Sequence, residues 1–261
     1  MALLHVDFFS EVLGMCCQMD VILPQRTQGQ IGLTGNALAG KYPTLYLLHG
    51  MSDDHTIWQR RTSIERYVSE LGWAVVMPAV QLGWYTNMRH GGRYFDYVAK
   101  ELPRICREFF PSMSSSPQDT YVAGLSMGGY GALKLALAAP ETFGAAASLS
   151  GAVDIARRCE EQDGKEPLWT NVFGLASHVR GSENDLFALA ESLASSGEKL
   201  PPLYMWCGTE DFLINDNRRL RDSLNGWGYS LHYEESAGAH RWDCWDEKIQ
   251  SVLAWLQQLR G

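Results

Sequence analysis

The chain has no excess of positive charge. It carries 22 Lys and Arg against 30 Asp and Glu, a net charge of −8, and its pI is near 5.4. Nucleic-acid binding calls for a basic patch. The densest basic runs are Gln59-Arg60-Arg61 and Asn217-Arg218-Arg219-Leu220-Arg221, and both fall in helix-like stretches where they read as solvated faces. Nucleic acid and anionic membrane surfaces are therefore disfavoured as partners. Long apolar runs are missing too: no stretch approaches the ~18 uncharged residues of a spanning helix. The N-terminus has no basic region, and Asp7 and Glu11 interrupt its apolar run, so neither a signal peptide nor a lipidation site is read there. The six cysteines (Cys16, Cys17, Cys106, Cys159, Cys207, Cys244) form no C-x-x-C pair. Without an export signal they are expected to be reduced thiols.

What is present is apolar and aromatic enough for a packed core, which excludes a disordered chain. At 261 residues one domain is expected over 1–261. Short apolar runs at 44–48, 73–77, 120–123, 145–149, 203–207 and 229–233 read as strands, continuous because both faces are buried. Helical spacing fills the intervals at 57–71, 93–109, 127–139, 213–226 and 244–258, the last with Trp245, Ile249, Val252, Leu253 and Leu256 on one face. This alternation predicts a mainly parallel sheet with helices on both faces. Val6 to Val12 and Met15 to Leu23 are expected as an antiparallel hairpin at its edge. A long stretch at about 152–200 carries a polar loop (Arg157 to Glu166), then Trp169, Phe173 and a helix-like segment near 184–195. It follows a strand's C-terminal end, where ligand sites form in open α/β sheets, and is expected as a small cap.

The strongest motif is Gly124-Leu125-Ser126-Met127-Gly128-Gly129, a G-x-S-x-G with a strand before it and a helix after it. So sharp a turn leaves no room for side chains two residues either side of the serine, and it lifts the hydroxyl to a helix N-terminus. Ser126 is the expected nucleophile. The Met127 N–H is expected as an oxyanion donor, aided by the helix dipole. A phosphate-binding loop does not fit, because the G-x-x-x-x-G-K-[ST] pattern is absent.

A serine needs a base, and in this strand–turn–helix context the acid and then the histidine follow in the chain. His240, in a loop before the final helix, is the expected base, whereas His232 falls inside a strand. Asp211 is the expected acid, with Glu210 beside it as the alternative. Aspartate is chosen because its short side chain suits a tight turn. The second oxyanion donor is expected at Met51, after Gly50, with His49 as an orienting or packing residue. His49, Asp53, Asp54 and His55 do not add up to a metal site, because no third cluster matches them. Gly50, Trp58, Trp84, Tyr85, Tyr130 and Trp242 are candidates for a small acyl pocket.

Several of these stretches together resemble the esterase D family of S-formylglutathione hydrolases and bacterial tributyrin esterases, most of all the tributyrin branch. They are Tyr46-Leu47-Leu48-His49-Gly50-Met51-Ser52, Gly83-Trp84-Tyr85-Thr86, Ala123 to Gly131, Trp206-Cys207-Gly208 with Asp211-Phe212-Leu213, and Ser236-Ala237-Gly238 with His240. The resemblance implies an α/β-hydrolase fold of about eight strands and an intact Ser126–Asp211–His240 triad. It also implies oxyanion donors at Met51 and Met127 and no cofactor. It further implies a cytoplasmic homo-oligomer that cleaves short-chain acyl esters, its partner being a small-molecule ester. The S-formylglutathione hydrolases tend to carry His where this chain has Tyr130, which favours an ester over a thioester. The alternatives are such a thioesterase, a carbohydrate deacetylase with the same triad, or a non-catalytic binding module.

Overall fold

The apolar runs become strands that are buried on both faces. The computed structural model describes residues 1–162 and 165–260. Among them the strands are β1 (Ala2–Ser10), β2 (Met15–Leu23), β3 (Thr44–Leu48), β4 (Ala74–Pro78), β5 (Thr120–Leu125), β6 (Ala145–Leu149), β7 (Leu203–Gly208) and β8 (Leu231–Ser236). They form one sheet in the order β1-β2-β4-β3-β5-β6-β7-β8. β1 pairs antiparallel with β2, and β2 antiparallel with β4; every other pairing is parallel. The expected mainly parallel sheet with an outer hairpin is the one observed, except that the hairpin's first arm runs Ala2–Ser10 instead of Val6 to Val12, because residues 11–14 form the bend. Every residue of β3 through β7 is buried. Side chains still alternate: Leu45 and Leu47 enter one core with Tyr121, Ala123 and Leu125, while Tyr46 and Leu48 enter the other with Val122.

The helices are α1 (Ile57–Arg61), α2 (Ile64–Val68), α3 (Tyr94–Asp96), α4 (Leu102–Phe109), α5 (Met127–Ala138), α6 (Ile155–Gln162), α7 (Pro167–Phe173), α8 (Leu186–Ser196), α9 (Ile214–Gly226) and α10 (Trp242–Arg260). α1, α2 and α10 cover one face, and all five apolar positions expected for α10 are buried there. α4, α5, α8 and α9 cover the other.

Three local expectations are corrected. The helix expected over 57–71 breaks between α1 and α2. The Thr62 hydroxyl accepts the Ile64 N–H at 3.1 Å, and the Ser63 N–H turns to the Asp246 carboxylate at 3.3 Å, so side chains compete with the helix ladder. The polar stretch 157–166 is largely helical. Asp154 caps α6 by accepting the Arg157 N–H at 3.1 Å, and Ile155, Ala156 and Cys159 bury one face. Residues 163 and 164 of that stretch lie outside the described residues. The last strand begins at Leu231 instead of Tyr229, because Tyr229 is a core anchor whose hydroxyl donates to the Ala190 carbonyl at 2.9 Å.

The bend of the outer hairpin is fastened to the body through one carboxylate. A π-helical turn, Tyr97–Glu101, joins α3 to α4 and presents Glu101 to the hairpin bend. Glu101 accepts the Ser10 hydroxyl and the Glu11 and Val12 N–H groups, the latter two at 2.9 and 3.3 Å. Replacing it by Ala strands three donors. The expected cost is about 2–4 kcal/mol for Glu101→Ala, read as a lower urea midpoint at unchanged slope.

Candidate active site

Ser126 stands between β5 and α5 with φ 52° and ψ −116°, a conformation that a side-chain-bearing residue rarely adopts. The packing around it leaves no easier turn. A Cβ on Gly124 would lie 2.4 Å from the Gly128 carbonyl oxygen, and one on Gly128 would lie 2.5 Å from the Leu48 carbonyl oxygen. The elbow is also pinned from β6: the Ser126 N–H donates to the Leu149 carbonyl at 3.0 Å, and the Ala152 N–H donates to the Ser126 carbonyl at 3.1 Å.

The structure brings three separated residues together. Ser126 Oγ lies 3.0 Å from His240 Nε2, and His240 Nδ1 lies 2.8 Å from Asp211 Oδ2. Asp211 Oδ1 accepts the Leu213 N–H at 2.9 Å. Burial pushes the Asp211 carboxyl up, but hydrogen bonds from His240 and Leu213 outweigh it, and the net direction is down. An ionised Asp211 requires the proton on Nδ1, which leaves Nε2 free to accept from the serine. Glu210 faces another way. It is exposed and accepts the Gly238 N–H and the Thr209 hydroxyl, steadying the loop that carries His240.

Two aromatic rings hold the imidazole. Phe212 lies 4.8 Å from it and Trp245 4.9 Å, measured between ring centroids. The Trp245 indole N–H donates to Ser150 Oγ at 3.2 Å, and Ser150 itself has φ 48°. Sequence reasoning missed these three. Trp245 was legible only as a core position of α10, and Phe212 only as the neighbour of Asp211.

The loop after β3 closes the other side. A Cβ on Gly50 would sit 3.7 Å from Ser126 Cβ, so this backbone lies directly against the serine. Met51 follows Gly50, and Met127 heads α5. His49 is buried between the two loops. Its Nε2 accepts the Val80 N–H at 3.1 Å, which places the proton on Nδ1, and Nδ1 donates to the Gly50 carbonyl at 2.8 Å. Burial holds its pKa down to about 4. Among the described residues no group of three or more His, Cys, Asp or Glu is arranged to hold a metal ion.

The pocket candidates divide. Trp242 is half-buried, edge-on to Trp58 and Trp245. Trp58, Trp84, Tyr85 and Tyr130 are at most 3% exposed, and the structure shows them as core residues. Each has a supporting contact instead: Trp58 Nε1 donates to the Leu48 carbonyl, Tyr85 OH to the His49 carbonyl, and Tyr130 OH to the Asn184 carbonyl. Trp84 packs among Tyr130, Trp169 and Phe173, so α7 rests on Trp84 and on Tyr130 of α5. Below this cluster Lys134 is buried. It donates to Thr86 and to Asn184 Oδ1, and burial pulls its pKa down to about 7.

The known proteins similar to this chain are esterases and serine hydrolases. The sequence model of the Esterase family matches residues 20–256. An acetyl esterase of Caldicellulosiruptor saccharolyticus is 29% identical over 99% of both chains. Among solved structures, the substrate-bound fluorophosphonate-binding serine hydrolase FphF of Staphylococcus aureus is 32% identical, with TM-score 0.87 over 98% of each chain. The S-formylglutathione hydrolase FrmB of the same organism is 32% identical, with TM-score 0.84 over 98% of each chain.

The two depressed pKa values make stability rise with pH in two windows. Unfolded His49 binds a proton below about 6.5 while the folded protein resists it down to about 4, so acidification favours unfolding. Stability is expected to fall by about 2–3 kcal/mol between pH 7 and 4.5 on this account, and less steeply in His49→Gln. Folded Lys134 loses its proton near 7 whereas the unfolded lysine keeps it to about 10.5. Urea midpoints are therefore expected to climb from pH 7 to 8.5, with Lys134→Met flattening that climb. Buried thiols such as Cys106, pushed up to about 12, work in the opposite sense above pH ~9.

Proposed function

This chain belongs to the Esterase family, among the esterase D and S-formylglutathione hydrolase-like enzymes, and is an α/β-hydrolase-fold serine hydrolase acting on ester bonds; from that premise we propose that it cleaves short-chain acyl esters with Ser126, His240 and Asp211. The observation that carries the proposal is the unbroken chain from Ser126 Oγ through His240 to Asp211 at 3.0 and 2.8 Å. His240 Nε2 takes the hydroxyl proton as Ser126 Oγ attacks the ester carbonyl carbon. Negative charge moves to the carbonyl oxygen, where the Met51 and Met127 N–H groups stabilise it. Collapse expels the alcohol, which receives the proton from His240. Water then repeats the sequence on the acyl-enzyme, releasing the acid and restoring the serine. Asp211 keeps the imidazole in the required tautomer and stabilises its charged form. Each oxyanion donor is worth about 100- to 1,000-fold in rate.

A short acyl group is favoured by the relative described as an acetyl esterase and by the rings of Trp84, Trp169 and Phe173, which cluster around Tyr130, one turn of α5 on from the serine. We read α6, α7 and the turn after them as a cap over this region, with α8 belonging to the helical layer. A thioester reading is favoured by the likeness to the S. aureus S-formylglutathione hydrolase. None of the six cysteines is in a disulfide, which suits a reducing, cytoplasmic setting. No helix among the described residues is long and apolar enough to cross a membrane. Exposed Leu3 and Phe9, on one face of the outer hairpin, are an apolar surface that would carry self-association.

The test is a p-nitrophenyl ester series from acetate to long chains, with S-formylglutathione alongside. We expect kcat/KM to be highest on the shortest esters. Ser126→Ala is expected to lose at least about 10⁴-fold in kcat, and Asp211→Asn about as much, with Glu210→Gln costing far less. Full ester activity in Ser126→Ala would overturn the assignment. A marked preference for the thioester would move the substrate class.

A further inference from the structure

The imidazole of His240 is flanked on its outer side by a ring that has no structural reason to face solvent. Phe212 is 68% exposed although it packs 4.8 Å from His240. Over that ring lies a guanidinium: Arg158, on α6, has its Cζ 5.8 Å from the Phe212 ring centre. The other charged residues around it are committed elsewhere. Arg157 pairs with Glu161 and Asp216, Asp154 with Arg219, and Glu160 with Arg180. On the Phe212 side, Glu210 is engaged by the Gly238 N–H, and Asp211 by Leu213 and His240. Among the described residues Arg158 thus has an aromatic ring for a partner and no carboxylate.

We propose that Arg158 and Phe212 form a subsite beside His240 that selects esters whose alcohol portion carries a carboxylate. The inference rests on the esterase reading above and goes on to name the substrate class. The side follows from the chemistry. His240 must protonate the departing alcohol, so the leaving oxygen sits at Nε2 and the groups packed on the imidazole border the leaving portion. Phe212 offers that portion an apolar face. Arg158 stands one ring's width beyond, within reach of a substituent across an aromatic or similarly sized alcohol. A guanidinium held near a ring face, with no carboxylate partner, keeps N–H donors free for the two oxygens of a carboxylate. The chain's net charge of −8 repels anions at long range. An anionic substrate therefore needs a local, unpaired cation, and screening confines the contest to roughly the last 8–10 Å.

The experiment compares 4-acetoxybenzoate with phenyl acetate, which share the acyl group and differ in the carboxylate of the leaving group. In wild type, KM is expected to be lower for the carboxylate ester, with the advantage shrinking as salt rises. In Arg158→Gln the ratio of kcat/KM, carboxylate over neutral, is expected to fall about tenfold, equivalent to ~1.4 kcal/mol, with the change in KM. Arg158→Lys restores part of it. An unchanged ratio in Arg158→Gln, or an equal loss on both esters, would show that Arg158 only packs on Phe212 and overturns the proposal. Failure of wild type to hydrolyse either ester would instead count against the esterase reading. The subsite is then judged separately, by calorimetric binding of 4-hydroxybenzoate to Ser126→Ala. Weaker binding after adding Arg158→Gln supports it, and identical binding refutes it.

Discussion

The close approach of the β5–α5 turn to β3 is the constraint on which the rest of the site depends. Two backbones meet where no Cβ fits, at Gly124 and Gly128, and the chain between them is forced to a positive φ at Ser126. Strain of this kind survives only where the surroundings over-determine it. Here they do: hydrogen bonds to Leu149 and from Ala152 fasten the elbow to β6, and the Gly50 backbone presses on its other side. The serine is thereby raised above the sheet, at the N-terminus of α5, before any partner arrives.

Proton placement follows from what each buried polar group touches. Asp211 accepts two hydrogen bonds and stays ionised, which sets the tautomer of His240. His49 accepts one and donates one and stays neutral, which holds the Gly50 peptide in place. Lys134 has neutral partners, Thr86 and Asn184, and sits close to losing its proton. Such groups tie loops together through directional bonds. Apolar packing alone, being non-directional, would leave those loops free to slide.

Much of the architecture was legible in the chain, because parallel strands buried on both faces write themselves as continuous apolar runs and surface helices as periodic ones. The elbow could be read because its glycines are a local steric requirement. The breaks were less legible. Thr62 and Ser63 end a helix through hydrogen bonds, one of them to Asp246, far along the chain. The polar run after Asp154 becomes helical because a cap and one buried face override its composition.

The sequence by itself determined the order of strands and helices, the serine at the sharp turn and the loops that carry Asp211 and His240, since each depends on residues close together in the chain. Only the tertiary structure decided between Asp211 and Glu210 as the partner of His240, because their order cannot say which carboxylate turns inward. It also buried Trp84, Tyr85 and Tyr130 in the core and left Phe212 in the open beside Arg158. Those outcomes arise from contacts between distant segments, where direction and burial, rather than residue type, set the role.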